Sequence, residues 1–343
     1  MQSNFFASRP WLSTLALALV FFVAVPLVVP TYMINQCTLV VLYAVAVLGL
    51  NLVSGYGGAI TLGHGAFFTL GAYANAILIV KLGWSPFASV PASALLCLVA
   101  GLLFGYPALR LHGLYLALGT LALAVSVTPI LKRFETLTGG HQGLIVPMPR
   151  APAWFKLGDD LWMYFICVAL AALCFLAAWL VVRGALGRSI LALRDNPLVA
   201  SVLSMDRPRT TTHLFAMSSL YAGLAGAMFG LTVGFVSPES FPLMLSLSFF
   251  IAGVFGGLTS LSGAFWGALF IQFVPTLASD IDAALSGLVY GVTLILATLL
   301  LPTGVAGALA GLWKRLVSGK PSTPAPAPAE TGISSLPASK VAP

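Results

Sequence analysis

Charge is scarce in this sequence: Asp, Glu, Lys and Arg make up 7% of its 343 residues, against 59% hydrophobic. Soluble domains carry about 25% charged residues, so the chain as a whole is not a water-soluble globular protein. Catalytic and metal-binding patterns are missing as well. The four cysteines, Cys37, Cys97, Cys167 and Cys174, lie singly in apolar stretches without CxxC spacing and read as small hydrophobes. No HExxH pattern, convergent carboxylate pair or nucleophile–base pairing occurs among the four scattered histidines, which argues against an enzyme and assigns neither catalytic residue nor metal site. The one Gly–Lys pair, Gly319–Lys320, is followed by Pro321 and lacks a preceding phosphate-cradling glycine loop, so the chain is expected to bind no nucleotide or other cofactor itself. Alternating segments of roughly 10 residues are absent, which excludes a transmembrane β-barrel. The net charge of +7 is not gathered into Lys/Arg blocks interleaved with aromatics, so nucleic acid is not the expected partner.

What the sequence does have is repeated apolar runs near 20 residues, the length that spans a hydrocarbon core of about 30 Å. With a mean hydropathy of +1.01, this predicts an all-α, polytopic membrane bundle in contact with lipid. About ten spans are expected, near 11–30, 33–53, 58–80, 86–107, 113–131, 161–182, 212–236, 243–258, 261–279 and 285–302. The run from Trp11 to Pro30 is too long for a typical signal-peptide core of about 7–15 residues and reads as a retained first span. The third and eighth spans are Gly-rich, and breaks or re-entrant turns are expected there, tolerated only where protein or a water-filled cavity shields them. GGAITLGHGAF at 57–67 is echoed by GGLTSLSGAF at 256–265, by duplication or by chance.

Ten spans put both termini on one side. If that side is cytoplasmic, 11 Lys and Arg residues lie inside and 5 outside, the bias expected of inner loops. Residues 1–318 then form the membrane domain, and 319–343, rich in Pro, Ala and Ser, a disordered tail.

The densest charge lies between Arg183 and Arg209, an expected cytoplasmic segment. Gly187 to Asp195 can form a turn or two of helix. Asn196–Pro197 is a helix-start signal, and Leu198, Val199, Val202 and Leu203 form a stripe on a short helix that Asp206 and Pro208 end. Such a helix is marginal alone. It packs either beneath its own bundle or on lipid, or it fits a groove on a cytosolic protein.

This segment, with HLFAMSSLYAGLAGAMFG at 213–230, resembles the coupling region of permease subunits of bacterial ABC importers for branched-chain amino acids, the LivM type. The resemblance extends to GLNLVSGYGGAITLGHGAFFTLGAY (49–73), YPALRLHGLYLALGTLA (106–122), LTGGHQGL (137–144) and VFGGLTSLSGAFWGA (254–268), in order from about residue 35 to 312. The chain departs from the family at Pro197 or Leu198, where an acidic residue is usual, and near Ser204–Met205, where a Gly is usual. The resemblance implies an inner-membrane permease half, a sister permease of the LivH type, two cytosolic ATPase subunits that spend the ATP, and a periplasmic binding protein. It also implies that Gly187, Arg194, Asp195, Asn196, Leu198, Val199, Val202 and Leu203 couple the permease to those ATPases. Alternating access driven from the cytoplasmic side follows, with the sixth and seventh spans transmitting the motion. Branched-chain amino acids are the default solute, with urea, short amides or other amino acids as alternatives.

Polar groups within spans mark where a solute path could run. Asn51, Tyr56, Thr61 and His64 stand among five glycines, so His64 either lines the path or bonds to a neighbouring helix. Asn75, Gln36 and Gln272 read as bonds between helices. Gly139, Gly140 and His141 lie in an outer loop that either meets the binding protein or turns the chain. Glu239, Asp280 and Asp282, at outer span ends, are either docking charges or solvated ones. An ion-coupled secondary transporter is disfavoured because no Asp, Glu, Lys or Arg sits clearly at mid-span.

Overall fold

Away from water, an apolar segment satisfies its backbone N–H and C=O groups within itself only as a helix, and the computed structural model of the chain is almost entirely helical. It describes residues 30–108, 113–152, 158–195, 207–281 and 304–318, with 291, 292, 295 and 299 besides. In chain order the main helices are α1 (Thr31–Leu50, prolonged by a π-helical turn Asn51–Tyr56), α2 (His64–Val80), α3 (Pro86–Ala108), α4 (Leu114–Arg133) and α5 (Asp159–Arg183). The short α6 (Ala185–Asp195) precedes α7 (Arg207–Val233), α8 (Leu243–Gly256), α9 (Gly263–Ile281) and α10 (Gly304–Ser318). Among the described residues, six helical segments are long and apolar enough to cross a membrane, with His64–Val80 and Gly263–Leu277 as shorter apolar helices. The chain is a multi-pass membrane protein. Two compact units divide it at Ala308/Leu309.

The helix ends follow local chemistry. Asp159 and Asp160 open α5 and Arg183 closes it, matching negative charge to the N-terminus and positive to the C-terminus. Lys132 and Arg133 close α4 in the same way. Helix α7 begins at Arg207 with Pro208 in its first turn, five residues before the expected span; Pro208 thus helps to start this helix. Gly234, at φ 74, ends α7 and leads into a two-residue strand, β2 (Phe235–Val236), paired antiparallel with β1 (Leu144–Ile145). The span expected at 58–80 starts its helix at His64, after a Gly-rich break of the kind expected there. One expectation needs correction: a helix that was not expected occupies Gly304–Ser318. The expected first span lies outside the described residues save Pro30, as do most of the tenth and the tail from Gly319.

Helices α1 and α7 are the buried axis of the bundle, while α3, α4 and α5 form its rim. The rim shows Leu95 and Leu103 of α3, Leu118 and Val125 of α4, and Leu173 and Leu180 of α5 on its outer surface, a face suited to hydrocarbon. At the centre Phe68, Phe229, Phe241 and Phe249 pack ring against ring with centroids 5.3–6.1 Å apart. Lipid is as apolar as Leu, so close van der Waals contact holds such helices together. At Gly226 that contact is extreme: a Cβ built there would lie 1.9 Å from the Phe68 carbonyl oxygen.

Gly226→Ala should therefore force α2 and α7 apart and destabilise the bundle by on the order of 1–3 kcal/mol. Thermal denaturation in detergent measures this. Gly311→Ala is the control, because a Cβ there meets nothing within 4 Å, and it should not lower the transition.

Candidate functional site

Two breaks in the helices meet at one end of the bundle. The first follows α1, whose last turn widens from α- to π-helical at Asn51–Tyr56, a distortion frequent at functional sites. Gly57 N–H closes on the Leu52 carbonyl at 3.0 Å and Ala59 N–H on that of Val53 at 3.2 Å, and the chain then runs without helix to Gly63. Gly58 takes φ 68 in this stretch, a conformation costly to any residue with a Cβ. The second break separates α8 from α9. Gly257 leaves α8 at φ 108, Ser260 N–H bonds back to the Gly257 carbonyl, and Gly263 N–H bonds to that of Ser260. The two Gly-rich echoes in the sequence thus fold alike, as helix, break, helix.

They also touch. Asn51 Nδ2 donates to the Ser260 carbonyl at 3.1 Å, and a Cβ on Gly55 would fall 1.7 Å from the Leu258 carbonyl oxygen. Asn51 is fully buried, and its Oδ1 and the Ser54 hydroxyl have no hydrogen-bond partner among the described residues. Unpaired polar atoms in a dry interior are costly, and here they stand on the distorted turn itself.

The other residues singled out in the sequence fall into place around this junction. Thr61 is buried and its hydroxyl accepts from Gly63 N–H at 3.4 Å, while Thr120 of α4 accepts from Leu62 N–H at 3.0 Å. His64, also buried, joins three helices. Its Nε2 lies 2.7 Å from the Ala46 carbonyl of α1 and its Nδ1 3.3 Å from the Ser218 hydroxyl of α7. A carbonyl only accepts, so Nε2 carries the proton and Nδ1 accepts from Ser218, the arrangement of a neutral imidazole. The ring edge packs on Phe249 of α8, centroids 5.9 Å apart. His64 therefore bonds between helices, and Tyr56, half-buried, is the most accessible of the four path candidates. Elsewhere Asn75 donates to the Ala227 carbonyl across α2 and α7 at 3.0 Å, and Gln272 bonds to Gln36 across α9 and α1.

Helix α6 lies against the same end. Gly187 allows it to fold tightly off α5, since a Cβ there would lie 1.9 Å from the Val182 carbonyl oxygen. Ile190 and Leu193 are buried against the bundle. Arg194 lays its stem over Gly58, and its Nη1 donates to the Gly55 carbonyl at 2.7 Å. The Asp195 side chain, and Asn196, Leu198, Val199, Val202 and Leu203 with the expected short helix, lie outside the described residues.

The opposite end is closed by the β1–β2 ladder and by Lys132, whose Nζ pairs with Glu239 at 2.6 Å. Gly139 and Gly140, at φ 77 and 57, turn the chain between α4 and β1, held by Thr138, whose hydroxyl donates to the Leu131 carbonyl and accepts from Gly140 N–H. Gly140 is buried beneath this turn, whereas His141 and Glu239 are exposed. The Asp280 side chain and Asp282 lie outside the described residues. Sequence reasoning missed Ser260, Leu258, Ser218 and the Gly55 carbonyl. The paired Gly-rich echoes signalled the first two; main-chain acceptors leave no trace in residue type.

Residues 32–298 match the family described as the permease component of branched-chain amino acid transport systems. The chain is 31% identical over 310 residues to the high-affinity branched-chain amino acid transport system permease protein LivM of Escherichia coli, an alignment covering 84% of this chain and 73% of that protein. It is 26% identical to the corresponding LivH protein of Escherichia coli and 25% identical to BraD of Pseudomonas aeruginosa, covering 80% of this chain and 94% of each relative. No solved structure gives a significant match.

Asn51→Leu should remove the side-chain donor that the Ser260 carbonyl has beside Gly263 N–H, and so loosen the contact between the two breaks. A loss of about 0.5–1.5 kcal/mol, the net worth of one hydrogen bond, is expected, read as a lower thermal transition of the purified protein. An unchanged transition would show that Asn51 does not hold the junction.

Proposed function

This chain belongs to the permease family of branched-chain amino acid transport systems, and from that premise we propose that it is the LivM-type half of an ATP-driven importer for branched-chain amino acids. The observation that carries this reading is the family match across 32–298, which takes in both helix breaks and α6. The partners are a LivH-type sister permease, two cytosolic ATPase subunits and a periplasmic solute-binding protein. Both termini and α6 face the cytoplasm of an inner membrane, in keeping with the Lys/Arg bias. The chain holds no cofactor; ATP is spent by the partner subunits.

The geometry suits alternating access. Solute delivered at the end bearing His141 and Glu239 passes along the bundle to the two breaks, where unpaired Asn51 Oδ1 and Ser54 Oγ can meet a polar solute group. Closure of the ATPase pair displaces the segment after α6, and that shift opens or closes the junction between breaks. Leu198, Val199, Val202 and Leu203 form the surface that the ATPases grip, and His141 with Glu239 meets the binding protein.

The test is reconstitution of the complex in liposomes, with ATP inside and labelled leucine plus binding protein outside. ATP-dependent uptake is expected, and none without ATP. Leu198→Asp with Val202→Asp should reduce uptake and co-purification of the ATPases at least tenfold, each buried apolar side chain contributing about 1.5–3 kcal/mol. Full uptake by the double variant would refute the grip assigned to this segment. Glu239→Gln should raise the binding-protein concentration needed for half-maximal uptake severalfold and barely change stability, since exposed ion pairs contribute about 0–1 kcal/mol. An unchanged requirement would remove Glu239 from the docking surface.

A further inference from the structure

Three arginines of the α5–α6 hairpin spend their charge differently. The Arg183 guanidinium lies over the Trp179 ring, 4.5 Å from its centroid, and Arg188 Nη1 bonds at 3.3 Å to the Arg183 carbonyl. Both of these contacts stay within the hairpin. Arg194 instead reaches a residue 139 positions away, the Gly55 carbonyl at 2.7 Å.

That acceptor lies in the π-helical turn where α1 gives out. The Leu52 and Val53 carbonyls before it are taken by Gly57 and Ala59. A helix C-terminus carries partial negative charge, and a guanidinium placed there forms a strong, charge-assisted bond. Gly55 in turn has no room for a Cβ beneath Leu258. At the other end of the chain of contacts, α6 is held to α5 through Gly187 and to the bundle through Ile190 and Leu193. Contacts thus run from α6 to the Gly55 carbonyl and, through the close approach of Gly55 to Leu258, to the second break.

We infer that Arg194 is a positioning residue that links α6 to both helix breaks, so that movement of α6 sets access at their junction. The inference rests on the importer reading above and adds to it α1 and the α8–α9 break as the parts that α6 moves, beside α5 and α7. Arg194 is exposed, yet its guanidinium is bonded to a carbonyl of the bundle, a role other than gripping an ATPase subunit.

The experiment uses the assembled complex with Arg194→Gln and Arg194→Lys. Three quantities are read: ATP hydrolysed per leucine imported, co-purification of the ATPase subunits, and maleimide labelling of Ile60→Cys with and without trapped ATP. Ile60 lies in the first break and is 47% exposed, whereas Cys97, Cys167 and Cys174 are buried, and the half-buried Cys37 is replaced by serine in the labelled protein. For Arg194→Gln the ATP spent per leucine should rise about tenfold, the effect of losing one charge-assisted bond. Co-purification should match the parent, and the labelling difference between nucleotide states should vanish. Arg194→Lys, which keeps the cation, should restore part of the coupling and of the labelling difference.

An unchanged ratio with an unchanged labelling difference in Arg194→Gln overturns the inference. So does loss of co-purification, which would make Arg194 an ATPase contact. If the Gln variant does not assemble, the Lys variant decides: a ratio raised threefold or more supports the link, and parental values refute it. Absence of ATP-driven uptake by the unsubstituted complex would sink the importer reading instead. The labelling contrast needs no solute and would still test the link.

Discussion

Hydrocarbon offers no hydrogen bonds, and that single constraint governs where this chain is allowed to be irregular. Wherever a helix breaks inside the bundle, protein must supply the partners that water would supply elsewhere. The first break meets the demand with a wider helical turn, two local closures at Gly57 and Ala59, the Thr61 and Thr120 hydroxyls, and the guanidinium of Arg194. The second meets it with turns closed at Ser260 and Gly263, and with the amide of Asn51. Each break therefore relies partly on groups that lie far away in sequence. The irregular segments are joined to their neighbours by hydrogen bonds as well as by packing, so neither can shift without its donors following.

The same constraint explains the density of glycine. With no hydrophobic drive between helices in lipid, close approach supplies the attraction, and at Gly71 and Gly226 the α2 and α7 backbones come so near that a methyl group would overlap a carbonyl. His64, at the start of α2, then ties that packed pair to α1 through the Ala46 carbonyl and Ser218. Glycine packing fixes how closely the helices lie, and the imidazole fixes their register along one another. The rest of the bundle tolerates two breaks because this part is rigid.

Much of this was legible in the residues alone. Span lengths and the Gly-rich character of the two breaks both depend on local composition. Asn75, Gln36 and Gln272 were readable as bonds between helices because an amide in an apolar span has few other options. What could not be read was which main-chain atom each polar side chain would find. His64 bonds to Ala46 and Arg194 to Gly55, and no carbonyl is marked by its side chain. Nor could one sequence decide whether the Gly-rich echoes were related or accidental. Their shared helix–break–helix form and their contact through Asn51 and Ser260 give the likeness a structural meaning. Helix α10 escaped notice for a related reason: Gly304–Ser318 has glycines and a Lys–Arg pair among its apolar residues, so it does not stand out as a span.

The two ends of the bundle are closed by different kinds of interaction, and the difference bears on which end can move. At the β1–β2 end the loop after α4 is fastened by a backbone ladder and by Thr138, and the Lys132–Glu239 pair joins the end of α4 to the turn after β2. At the other end, what holds α6 to the breaks among the described residues is one guanidinium bond and the packing of Ile190 and Leu193. A single charge-assisted bond is strong enough to transmit a pull yet can re-form on another acceptor, and this break is rich in main-chain groups. Multiple coupled contacts resist displacement because all must yield at once. Among the described residues the laddered end is thus the more heavily cross-linked and the α6 end the more lightly, the asymmetry required if motion is imposed from one end while the other keeps its shape.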